Sequence, residues 1–378
     1  MIFGNSSGDI VRWNTLPQLS GNDITSPLKQ LPNCKKQAQQ IRYCLRQAEE
    51  YFSASDAVSL ATQPLLQYYG TMSLAIAEFL LKQDGTVSLD RARGTHGHHG
   101  LEFSFPSQSV KAGSPERMDG MIALPHVGSF GRRGTFELWH RSANEYPIVG
   151  LQTDIFEDYH SKGYGLAATA STERLPLISE NGISLRECFS SLPFLFDSLY
   201  LCGINPNFAR GRAETEINRV KRTLKREFTL NATPEPLLTQ VAQGFEFPPA
   251  FLRNLELQEY HSGFRIALNL SEDEDRGRFE GYDAVGRYPA TVQYSAEEVF
   301  YYGVNYGLNE FGYIYVALFI LGNLARYYPD KWMEEVERST ALSSLVDYFL
   351  AGAKRRAPLL VLSEFDDMLI VDRSMHRT

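Results

Sequence analysis

The sequence predicts a mostly helical α+β fold, with a β-rich or irregular segment inserted between helices. Three observations carry that prediction. Gln63 to Lys82 is apolar almost all the way round, the mark of a helix buried on every side. Ala38, Ile41, Leu45 and Ala48 recur at the three-and-four spacing of a helix with one apolar face. Residues 104–170 lose that periodicity, gain prolines and glycines, and carry short alternating runs that read as strands.

Taken in order, residues 1–33 are rich in Gly, Pro, Ser and Asn and read as a strapping segment or loop. A helix follows over Cys34 to Phe52. Pro64 suits the first turn of the next helix, because its missing N–H would have no partner there anyway, and Gln83, Asp84 and Gly85 end that helix. Gly94, Gly97 and Gly100 punctuate the stretch after it. Within the irregular segment Gly134 to Trp139 reads as a strand. Helical signals resume over Ser184 to Tyr200. Residues 210–226, RGRAETEINRVKRTLKR, read as a further helix with Ile217, Val220, Leu224 and Phe228 as its apolar stripe. Phe264 to Leu270 reads as a strand and 271–281 as an acidic, solvated loop. Ala296 to Tyr328 and Trp332 to Lys354 are the last helical stretches, with Trp332 as a structural staple. The expected layout is a helical part over 1–103, the inserted segment over 104–175, and a mostly helical part over 176–378 that packs on the first.

Composition narrows the classes of function. Hydrophobic residues are 43% and charged residues 22%, as in an ordinary globular chain, and 23 Phe with 20 Tyr imply a ring-rich core. A net charge of −8 argues against wholesale coating of nucleic acid and leaves room for a local basic patch. Cys34, Cys44, Cys188 and Cys202 form no CxxC pair, so they read as reduced, mostly buried thiols. The start lacks the pattern of a signal peptide, and the most apolar run, Tyr313 to Leu324, is too short to span a bilayer. A cytoplasmic protein with no membrane partner is expected. No Walker loop, GxSxG, HExxH or Rossmann fingerprint occurs.

Two stretches resemble a known family. ATQPLLQYYGTMSLAIAEFLL followed by THGHHGL resembles the N-terminal signature of the YaaC-like proteins, and YVALFILGNLARYYPDKWMEEV with DYFLAGAKRRAPLLV resembles their closing pattern. The match covers most of the chain and is poor over 104–170. It implies an architecture more than an activity. The Tyr-Tyr-Gly helix running into a His-Gly turn also resembles HEPN domains, helical bundles of toxin–antitoxin pairs and antiviral systems. That resemblance implies an HEPN-like bundle. Catalytic HEPN members are metal-independent ribonucleases with Arg, four to six residues, then His. Arg91 to His96 and Arg93 to His98 both have that spacing, although Ala92 and Gly94 stand where catalytic members carry a polar residue.

The candidate chemistry therefore centres on RGTHGHHGLEF, which holds three of the eight histidines within four positions. Cleavage of RNA by its own 2′-hydroxyl needs a group to take that proton and another to protonate the leaving oxygen. Imidazole, with a pKa near 6.5, suits either role. Arginine can hold the phosphoryl oxygens bidentately as charge builds. Arg91, Arg93, His96 and His98 are thus the catalytic candidates. The alternatives are a helix junction packed by its imidazoles, or a metal site, for which no single secondary structure collects His96, His98, His99 and Glu102. No metal or cofactor is expected. Arg219, Lys221, Arg222, Lys225 and Arg226 are the nucleic-acid candidates, since cations along one helical face can lie on phosphates. The bland reading of that segment is a solvated face. The tyrosines at 301, 302, 306, 313, 327 and 328 read as core rather than a stacking platform. The leading functional expectation is a component of an antiviral or stress-response assembly. It would act mainly on a protein partner or a second copy of itself, with RNA or DNA as a further target. The runner-up is a metal-independent endoribonuclease.

Overall fold

The computed structural model describes residues 3–4, 34–82, 89–106, 110–129, 131–142, 148–157, 162–170, 177–218, 223–231, 235–244, 255–260, 263–271, 291–293, 299–303, 307–365 and 371–372. The elements run in this order: β1 (Phe3–Gly4), α1 (Cys34–Ser55), α2 (Gln63–Lys82), α3 (Leu89–His96) and β2 (Leu101–Ser104). Next come α4 (Pro115–Gly120), β3 (Ile122–Pro125), β4 (Val127–Gly128), β5 (Gly131–Arg132), α5 (Thr135–Ser142), β6 (Ile148–Glu157) and β7 (Lys162–Ala170). They are followed by β8 (Ile183–Ser184), α6 (Leu185–Ser190), a 3-10 turn at Pro193–Leu195, α7 (Phe196–Leu201), β9 (Phe208–Asn218), β10 (Thr223–Asn231) and α8 (Glu235–Gly244). The chain closes with β11 (Leu255–Tyr260), β12 (Gly263–Ser271), β13 (Thr291–Gln293), β14 (Val299–Tyr302), α9 (Glu310–Tyr327), α10 (Pro329–Glu337), α11 (Ala341–Phe365) and β15 (Val371–Asp372). The fold is mostly helical and of the α+β class.

Helix α2 is the centre of the core. Leu74, Ala75, Ala77, Phe79 and Leu80 have lost all contact with solvent, and α1, α5, α9 and α11 pack around the helix. The sequence explains this: a helix with no polar face can only be satisfied by neighbours on every side. Gly70 accepts the Phe52 ring of α1, since a Cβ there would lie 2.9 Å from that ring. Helix α1 turns Ala38, Ile41, Leu45, Ala48 and Phe52 inward, as its spacing predicts. Helix α9 is equally enclosed, from Phe311 to Leu324.

Two buried ion pairs fasten this core. Arg356 of α11 donates from Nε (2.8 Å) and Nη2 (2.5 Å) to the two carboxylate oxygens of Glu310 at the start of α9. Arg117 of α4 reaches Glu335 of α10 at 2.8 Å, and that carboxylate also accepts from the Gly113 N–H and the Thr340 hydroxyl. Three donors on one buried carboxylate replace its lost hydration. Trp332 is 1% exposed and its indole N–H donates to the Leu60 carbonyl at 3.0 Å, which is the staple expected of it.

The larger sheet has eight strands in the order β11-β12-β10-β9-β14-β13-β6-β7. Every neighbouring pair is antiparallel, while β6 also runs parallel to the second half of β9. A three-stranded sheet, β2-β3-β8, lies beside the helical core.

Several expectations are corrected. The described residues of 210–226 are not helical: β9 and β10 pair antiparallel, with Ile217 opposite Leu224 and Ala213 opposite Phe228. The charged, β-branched run fits either period, and the ladder to β12 on one side and β14 on the other decides it. Gly134 to Trp139 is not a strand but the start of α5, whose Phe136, Trp139 and His140 are buried at helical spacing. Over Ala296 to Tyr328, the strand β14 precedes the helix, which begins only at Glu310, where the Asn309 side chain accepts the Gly312 N–H at 2.7 Å. Trp332 to Lys354 spans two helices, parted at Ser339, which has a φ of 48°. The N-terminal segment beyond Phe3–Gly4, the helix end at 83–85, the acidic loop after Ser271, and Tyr306 lie outside the described residues.

Candidate functional site

The histidine cluster is a junction made by two glycines. Helix α3 ends at His96, and the chain then crosses the N-terminus of α5. Gly100 has a φ of +86° and Gly134 a φ of +120°, and a Cβ on Gly134 would fall 2.3 Å from the Gly100 backbone. Only a residue without a side chain lets these two strands of backbone touch. The contact has a purpose. The His98 carbonyl accepts from the Thr135 N–H at 2.9 Å and the His99 carbonyl from the Phe136 N–H at 3.0 Å. These are first-turn donors of α5, which have no partner inside the helix.

The side chains then diverge. His99 Nδ1 lies 2.8 Å from the hydroxyl of Tyr68 at the centre of α2. Tyr68 is 3% exposed, and burial holds its phenol well above its ordinary pKa, so the hydroxyl stays protonated. His99 meets it as a neutral imidazole, and its tautomer sets which of the two donates. Its pKa is lowered by burial first, then by the charge of Arg326 on α9, then by His98. Arg326 donates to the Tyr69 hydroxyl at 3.1 Å and lies over the Tyr327 ring at 5.0 Å. Tyr69 in turn stacks on Tyr51 with ring centres 5.6 Å apart.

His98 faces outward, its ring 5.4 Å from that of His126. The pairing of Leu101 with Pro125 in β2 and β3 brings His126 there, and its N–H bonds the Gly100 carbonyl at 3.1 Å. His126 Nδ1 lies 2.6 Å from the Glu102 carboxylate, which fixes the ring and leaves Nε2 as its other nitrogen. The result is an exposed strip. At one end stand His98, His126 and Glu102; along the rest lie His99, Arg326, Tyr69, Tyr51 and Tyr327. Such a strip presents imidazoles for proton transfer or anion contact, one arginine for a carboxylate or phosphate, and rings for stacking.

Of the catalytic candidates, Arg91, Arg93 and His96 are placed on α3 by their backbone, and their side chains lie outside the described residues. His98 is brought to His126, a residue that sequence reasoning missed because only strand pairing unites positions 28 apart. Tyr68 and Arg326 were missed because the packing of α2 on α9, not nearness in sequence, brings them to the turn. Glu102 serves His126 rather than His99, since it stands on a strand and not on a helix shared with His99. Among the described residues no group of three or more His, Cys, Asp or Glu is placed to hold a metal ion. Cys44 and Cys188 are buried free thiols, pushed up by burial, and Cys202 is a half-buried one.

Of the nucleic-acid candidates, Lys225 stands on β10 opposite Glu216, and Arg226 opposite Thr215. Consecutive strand positions alternate between faces, so the three-and-four spacing no longer gathers these cations. Arg219, Lys221 and Arg222 lie outside the described residues, in the connection between paired Asn218 and Thr223.

The chain matches the profile of the YaaC-like protein family over residues 23–116 and 154–365. It belongs to that family. The YaaC-like match includes α1, α2, α3, the histidine turn, the β9–β10 hairpin and helices α9 to α11. The stretch 117–153 falls outside it, and this stretch supplies His126 and α5 to the YaaC-like junction. No curated protein and no solved structure matches the chain. No helix among the described residues is long and apolar enough to cross a membrane.

Proposed function

We propose that this YaaC-like chain is a binding component of an antiviral or stress-response assembly. Its contact face is the strip from His126 to Tyr51, and its partner is a protein or a second copy of the chain, with single-stranded RNA or DNA as a further target. The context comes from the HEPN-like pattern of the α2 helix and His-Gly turn. One observation favours binding over catalysis: the junction uses its histidines structurally. The carbonyls of His98 and His99 cap α5, and the His99 ring is fixed on Tyr68. What remains outward is a rigid surface of imidazole, arginine and tyrosine.

A second reading, a metal-independent endoribonuclease, rests on the Glu102–His126 pair beside His98. A carboxylate on Nδ1 orients Nε2 as a base, and a neighbouring imidazole can serve as the acid. One experiment separates the two. Full-length protein is mixed with labelled single-stranded RNA, with and without EDTA, and scored for self-association, retention of RNA and cleavage. Self-association that is lost in Arg326→Glu, with any bound RNA retained rather than cleaved, is expected. Chelator-resistant cleavage that falls by roughly 10²-fold in His96→Ala, His98→Ala or His126→Ala would establish the nuclease instead.

A further inference from the structure

A second site lies away from the histidine strip, where α6, the turn at 205–207, α8 and the end of β14 meet the start of α9. They enclose a cavity of about 440 Å³ whose lining includes Glu187, Asn207, Gln240, Tyr302 and Tyr313. That is within the range of ligand pockets, roughly 300–1,000 Å³.

Its walls are held together by hydrogen bonds among the lining residues. The Tyr302 hydroxyl donates to the Ser191 carbonyl at 2.8 Å. The Asn207 amide donates to the Ser190 and Ser191 hydroxyls at 2.8 and 3.2 Å, which leaves its carbonyl oxygen as an acceptor. The Tyr313 hydroxyl accepts from the Gly307 N–H at 3.2 Å. Gly303 lets Gln240 lie against the chain at the rim, because a Cβ there would fall 2.6 Å from the Gln240 amide oxygen. Glu187 is the third residue of α6, and its carboxylate accepts from the Ser184 N–H while the Ser184 hydroxyl accepts the Glu187 N–H at 3.1 Å. That reciprocal cap uses only part of the carboxylate, which offers about four acceptor sites. No Lys, Arg or His is among the described residues lining the cavity.

We propose that this cavity binds a small ligand carrying two parallel N–H donors, of the guanine or guanidinium kind, with Glu187 as their acceptor. A carboxylate receives two parallel donors with better geometry than any single contact. Asn207 and Gln240 add acceptors beside it, and Pro206 and Leu237 add apolar lining. With no cation among the described lining residues, a phosphate is disfavoured, so the base form is a nucleoside rather than a nucleotide. Desolvation holds the Glu187 carboxyl above the usual carboxylate range. A donor-rich ligand would relieve that cost.

Calorimetric titration of the full chain with guanosine and, separately, with agmatine tests the site. Saturable binding of either is expected, and whichever binds names the source of the donor pair. Inosine, which lacks the 2-amino group, or putrescine, which lacks the guanidinium, should bind roughly tenfold more weakly or worse. Glu187→Gln keeps the helix cap, because Gln serves at that position, so it should preserve the melting temperature and lose roughly tenfold or more in affinity. Gln240→Ala, on the exposed rim, should weaken binding without touching the cap. No saturable binding of either ligand, or wild-type affinity in both variants, would overturn the proposal.

Discussion

The Tyr68 hydroxyl and His99 Nδ1 share a hydrogen bond across 2.8 Å, joining α2 to the turn that caps α5. The bond makes the junction sensitive to pH. His99 has its pKa lowered, so the unfolded chain takes up the proton first as pH falls. The stabilisation is complete above the unfolded value near 6.5 and is lost as pH drops through it toward the lower folded value. Melting temperatures taken at pH 7.5 and 5.5 should fall for the wild type and fall less for His99→Gln. Tyr68→Phe should cost about 1 kcal/mol at pH 7.5, about two degrees in a chain this long. A wild-type curve flat over this range would contradict the reading of His99 as a neutral imidazole.

Leu74 sits on α2 with no exposure and helices on all sides. Leu74→Asp puts an unpaired carboxylate there and should cost several kcal/mol, enough to unfold the core. Circular dichroism melting with an unchanged midpoint would show that α2 is peripheral.

The Arg356–Glu310 pair is 3% exposed on each side. Arg356→Met strands the Glu310 carboxylate and should destabilise by about 3–5 kcal/mol. The double variant Arg356→Met with Glu310→Leu should regain most of that loss, since apolar packing can replace a buried pair. Chemical denaturation of the two single variants and the double variant measures the coupling directly; additive losses would show that the pair acts independently.

Affinity for nucleic acid is expected to run through the hairpin connection and β10. Reversing Arg219, Arg222 and Arg226 to Glu should abolish RNA retention, and wild-type binding should weaken as salt rises, by roughly 0.7 logarithmic units per tenfold salt for each phosphate neutralised on a single strand. Anisotropy titrations at two salt concentrations decide it. Binding that survives the triple reversal would leave the segment a solvated face.

The sequence by itself determined the helices whose pattern admits one answer. In α2 an apolar surface on every side demands burial, and in α1 the three-and-four spacing of Ala38, Ile41, Leu45 and Ala48 demands one buried face. The YaaC-like pattern at both ends was equally legible, because it is carried by contiguous residues. Tertiary structure decided everything that depends on pairing distant segments. The run 210–226 fits a helix or a strand on its own, and hydrogen bonds to β12 and β14 made its described residues two paired strands. Gly134 to Trp139 alternates like a strand, yet the carbonyls of His98 and His99 meet its N–H groups and start a helix. The candidate site shows the same division. The histidines could be seen in the sequence, but their roles depend on Tyr68, His126 and Arg326, which are close only in the folded chain. A side chain's chemistry is local, but its pKa and hydrogen-bond partners are set by whatever the fold packs against it.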